Sequence, residues 1–119
     1  MAPQATTLVS LNKTPARAAM LVELLLAKLR PEYDIIHVAN SPKAIETLET
    51  VLSTLVQPPG ILICSSQWSD LEQEKANNIA RGMLADIDIV NIPPGMDVHE
   101  GGEAIIAFLE RSVRGLGGA

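Results

Sequence analysis

The stretch ILICSSQWSDLE, residues 61–72, decides how the chain folds. Its apolar residues run together without alternation, as expected for a strand covered on both faces, and such strands belong to parallel sheets. The strand is expected over Ile61–Ser65. Ser69 and Glu72 then fit the capping box S-x-x-E, in which the serine hydroxyl and the glutamate carboxylate satisfy orphan N–H groups reciprocally. A helix is therefore expected from Asp70 to about Leu84.

The same alternation extends in both directions. Toward the N-terminus, Thr6–Leu11 (TTLVSL) reads as a strand. Thr14 follows as an N-cap, with Pro15 at the first helical position, where a missing N–H costs nothing. That helix should continue to Arg30, where Pro31 stops it. Tyr33–Ala39 (YDIIHVA) is the second strand, and Ser41 and Pro42 repeat the capping device for a helix reaching about Val56. Toward the C-terminus, Asp86–Ile92 (DIDIVNI) is a fourth strand. A ten-residue loop, PPGMDVHEGG, leads to a last helix over about Gly102–Arg114. Residues 1–5 and 115–119 read as frayed tails.

Strands alternating with helices imply parallel βαβ units with right-handed crossovers. The expected fold class is α/β: one domain over residues 1–119, a (βα)4 three-layer sandwich with a four-stranded parallel sheet in the order 2-1-3-4. This winding resembles that of flavodoxins and of receiver domains. Asp86 and Asp88, on alternate positions, would mark one charged edge, and His37 would sit partly solvated on the other.

Composition narrows the function classes. A net charge of −5 argues against nucleic acid and anionic membrane surfaces, which call for clustered cations. A single cysteine cannot make an internal disulfide, and no apolar run has membrane-spanning length. The N-terminus lacks the pattern of a secretory signal, so a cytoplasmic protein is expected. Two histidines and one cysteine without ligand spacing suggest no metal site.

In folds of this kind ligands gather outside the carboxyl ends of the strands. That edge would collect Asn12, Lys13 and Thr14 after the first strand, Asn40 and Ser41 after the second, and Ser65, Ser66 and Trp68 after the third. Helix N-termini, with Lys13, Arg17 and Lys43 nearby, suit a small anionic ligand, and Trp68 suits a planar one. His99 with Asp97, in the glycine-bounded loop, would be the acid–base pair of a compact enzyme. Cys64 would join them only if a base or cation lowered its pKa, and a buried strand end argues for an inert thiol instead.

Family motifs give little support to chemistry. Receiver domains place acidic residues after strand 1 and a phosphoacceptor aspartate after strand 3; here those positions read Ser10-Leu11-Asn12 and Cys64-Ser65-Ser66. A phosphorylation switch is not expected. CSSQWSDLE resembles the aromatic flavin-flanking loop of flavodoxins, but SLNKTPA lacks the glycine of their phosphate loop. No cofactor is implied.

The first helix carries more apolar residues than one face can bury. Ala18, Val22, Leu25 and Leu29 form the stripe expected to face the sheet. Met20, Leu24 and Ala27 form a second stripe on the far side, rimmed by Glu23 and Arg30 on one flank and Arg17 and Lys28 on the other. Either the last helix covers this stripe or it is the contact surface of a homodimer. The expected function is accordingly a non-catalytic module that binds a protein or a small ligand as a homo-oligomer. The alternative is the compact enzyme using His99 and Asp97.

Overall fold

The capping box closes as its residues require. Ser69 Oγ accepts from the Glu72 amide at 3.1 Å, and Glu72 Oε1 accepts from the Ser69 amide at 3.0 Å. The computed structural model describes residues 6–30, 32–42 and 44–116. Its elements are β1 (Thr6–Leu11), α1 (Pro15–Leu29), β2 (Ile35–Ser41), α2 (Thr47–Thr54), β3 (Ile61–Cys64), α3 (Asp70–Met83), β4 (Asp88–Asn91), α4 (Met96–Glu100) and α5 (Gly102–Arg114).

The four strands are parallel in the order β2-β1-β3-β4, the flavodoxin-like winding. The sheet separates two apolar layers. On one face Leu8, Ile35, Ile61, Ile63 and Val90 pack against α1 and α5. On the other Val9, Leu11, Leu62 and Cys64 pack against α2 and α3. The expected sheet-facing stripe of α1 is buried in full, joined by Leu21 and Leu26. Fully burying a leucine or valine is worth about 1.5–3 kcal/mol, so this stripe is what fixes α1 to the sheet.

Several local expectations need correction. Thr14 stands at the N-cap of α1, but its side chain makes no capping bond. Its amide is taken by Asn12 Oδ1 at 2.7 Å and its hydroxyl by Gln67. Ser41 does not cap a helix: it remains in β2, registered with Leu11, and its hydroxyl meets Thr47 Oγ1 at 2.9 Å. The strand therefore ends later than the Ser-Pro pair suggests, and α2 begins after a further turn. The ten-residue loop after β4 is not irregular throughout. It holds α4, bracketed by Gly95 and Gly101 at φ 81° and 83°, the left-handed values that only glycine adopts freely. Pro31, Lys43, residues 1–5 and residues 117–119 lie outside the described residues, while Gly115 and Leu116 form a turn after α5. Among the described residues no helix is long and apolar enough to cross a membrane.

Candidate functional site

The carboxyl edge assembles most of the residues the sequence places there, and it bonds them to one another. Gln67, which the sequence reading passed over, is the hub. Its Oε1 accepts from the Lys13 amide at 2.7 Å and from Ser65 Oγ at 3.1 Å, while its Nε2 donates to Thr14 Oγ1 at 3.0 Å. Ser66 Oγ accepts from the Asp97 amide at 3.2 Å, and its carbonyl accepts from Gly95 at 2.9 Å. Buried Gln73 reaches back from α3 and donates to the carbonyls of both Ser65 and Ile92, tying the ends of β3 and β4 together.

Trp68 offers no face to a planar ligand. It is 2% exposed, its indole N–H donates to the Leu11 carbonyl at 2.9 Å, and the Lys13 ammonium sits 4.7 Å from the ring centroid. The residue is a core plug, and Lys13 is engaged with it.

The acid–base pair does not assemble. Both Asp97 carboxylate oxygens go to Arg17, at 2.8 and 3.2 Å, a two-pronged contact that also raises the Arg17 pKa. His99 is exposed on α4, with no side-chain hydrogen bond among the described residues, and its ring lies against Gly95. Burial pushes the Cys64 thiol up to about 12, and its sulfur has only Asn77 Oδ1 at 4.0 Å for company. It is inert as a nucleophile. Asn91 Oδ1, paired in register with Cys64, is a buried side-chain oxygen without a partner. No cluster of three metal-ligating side chains occurs among the described residues.

A second polar cluster lies beneath α1. Ser10 Oγ is 2.8 Å from His37 Nε2 and 2.7 Å from Asn40 Oδ1, and Asn40 Nδ2 donates to the Asn12 carbonyl at 3.1 Å. His37 and Asn40 are three apart and would face opposite ways in a regular strand. The β1–β2 register slips at this point, so that Leu8 pairs with His37 and Val9 with Ala39, leaving Val38 as an extra residue. That bulge returns Asn40 to the face of His37. His37 stands half-solvated on the edge strand, as its sequence position implies, while the sequence carries no signal for the bulge. Burial holds the His37 pKa below the ordinary imidazole range, opposed by a backbone bond to Ala39 and by the charge of Glu23.

The outer face of α1 is open. Met20, Leu24 and Ala27 are exposed. α5 instead packs beside Leu21 and Arg17, where Gly102 leaves room for both side chains. Leu24, Ala27 and Lys28 face Glu103 and Ile106 across a groove of about 510 Å³.

The fold defines an α/β class with flavodoxin-like winding. Compared with family models, curated proteins and solved structures, the chain matches none.

Proposed function

We propose that the protein is a non-catalytic interaction module that associates with a second copy of itself through the outer face of α1. One observation carries the reading: Met20 and Leu24 are 45% and 47% exposed on a continuous ridge that borders the α1–α5 groove. Apolar area removed from water is worth roughly 25 cal/mol per Å², and an apolar strip rimmed by charge is the composition of a contact surface. Lys28 and Glu103 stand on the same groove. A face carrying both signs is complementary to itself under a two-fold axis. The engagement of Asp97 with Arg17 and the inertness of Cys64 argue against the alternative enzyme.

Analytical ultracentrifugation of wild type and Leu24→Glu tests the reading. The wild type should sediment as an oligomer, and the variant should lose mass while keeping its melting temperature. Equal masses would sink the proposal. A variant that unfolds would assign Leu24 to the core instead.

A further inference from the structure

Among the described residues only Gly95 and Gly101 have positive φ, and they stand at the two ends of α4. A glycine absorbs a backbone rotation that other residues resist, so both joints of this segment can turn at little cost. The flanks are anchored: Ile92, just past β4, and Ile105, on α5, are buried. The segment between them is not. α4 buries no residue, Val98 is 88% exposed, and of its side chains only Met96 leans on the apolar layer of α1 and α5. Polar ties near its start hold it down. Ser66 accepts from the Gly95 amide through its carbonyl and from the Asp97 amide through its hydroxyl, and Arg17 donates to both Asp97 oxygens. The amides of His99 and Gly101 bond to Gly95 and Asp97, inside the segment itself.

We propose that residues 95–101 form a strap that lifts from the carboxyl edge while the sheet and α5 stay folded, with the Arg17–Asp97 pair as its latch. Segments that open on their own are those with few buried apolar contacts, and α4 offers only Met96. The latch joins two partly exposed side chains, so water and salt weaken it. Its two-pronged geometry gives it direction: it closes only when α4 lies against the first turn of α1. A five-residue helix has no stability of its own, so lifting also melts it, and its amides lose protection together. Opening bares Ser66 and frees Arg17 at the edge where ligands gather in folds of this winding. The edge thereby has a closed and an open form, governed by one ion pair.

Native-state amide exchange tests the strap, read at Asp97, His99 and Gly101, whose N–H groups are bonded in the closed form. These three should exchange about tenfold or more faster than the β3 amides of Leu62 and Ile63, and sodium chloride should speed the three alone. Arg17→Gln and Asp97→Asn should each raise the three rates by roughly twofold to tenfold, and the double variant no further than either. Three results overturn the proposal: segment amides that exchange only at the β3 rate, segment rates unmoved by Arg17→Gln, or β3 amides sped by the same factor as the segment. If either variant fails to fold, the salt dependence of the wild type decides. A response shared equally by segment and β3 amides, or no response at all, then overturns the latch.

Discussion

The 2.8 Å contact between Ser10 Oγ and His37 Nε2 ties β1 to β2 and continues into Asn40. The Asn12 carbonyl can only accept, so the Asn40 amide nitrogen must face it. Asn40 Oδ1 then faces Ser10 and takes the single hydroxyl proton. A backbone carbonyl just past β1 thus orients the amide on the neighbouring strand that takes the Ser10 proton.

Stability should depend on pH through His37. Its folded pKa lies below the ordinary 6.5, chiefly because burial penalises the charged ring. Between that lowered value and 6.5 the unfolded chain binds more protons than the folded one, so stability rises with pH across the window. The contribution is complete above 6.5 and is lost as pH falls through the folded pKa. Urea melts between pH 7 and 5 should show a declining midpoint, and His37→Gln should flatten the decline over that interval. A wild-type midpoint constant from pH 7 to 5 contradicts the assignment.

Ser10→Ala should destabilise the fold by about 1–3 kcal/mol, because it leaves Asn40 Oδ1 without its donor beneath α1. A loss under half a kilocalorie would mean that water replaces the hydroxyl there.

The elements that follow from local chemistry were legible in the sequence: the capping box at Ser69, Pro15 at the start of α1, and the unalternating run of β3. The order of the strands followed from the likeness to the flavodoxin-like winding, and the α1 ridge from helical period alone. What was not legible depends on contacts between distant segments. Gln67 becomes a hub because β1 and β3 end side by side, and Trp68 turns inward onto the Leu11 carbonyl, which the Ser65 amide also meets. The bulge has no sequence mark at all, since Val38 is an ordinary strand former with no glycine beside it. Asp97 next to His99 looked like a catalytic pair, but Arg17, eighty residues away in sequence, holds it.

Cys64 should resist a thiol reagent in the folded protein and react at once after denaturation, because burial lifts its pKa to about 12. Fast labelling of the native state would refute the inert reading.

Gly101 joins α4 to α5 at φ 83° and ψ 173°, a region open in practice to glycine alone. Gly101→Ala should cost about 1–3 kcal/mol although an added Cβ meets nothing within 4 Å. Gly82→Ala, also in open space but inside helix α3, should stabilise by roughly 0.4–1 kcal/mol. Denaturant melts of the two variants separate backbone strain from crowding, and opposite signs are expected.

The burial of Trp68 has an optical consequence. It is the single indole of the chain, and it sits wholly within the layer between the sheet and α2–α3. Tyr33 and Phe108 pack against the opposite layer. Indole emission therefore watches one half of the molecule while phenol absorbance watches the other, without any label. Should the two halves come apart in separate steps under heat or denaturant, the two spectra will disagree; a single shared transition makes the sheet the element that binds both halves into one cooperative unit.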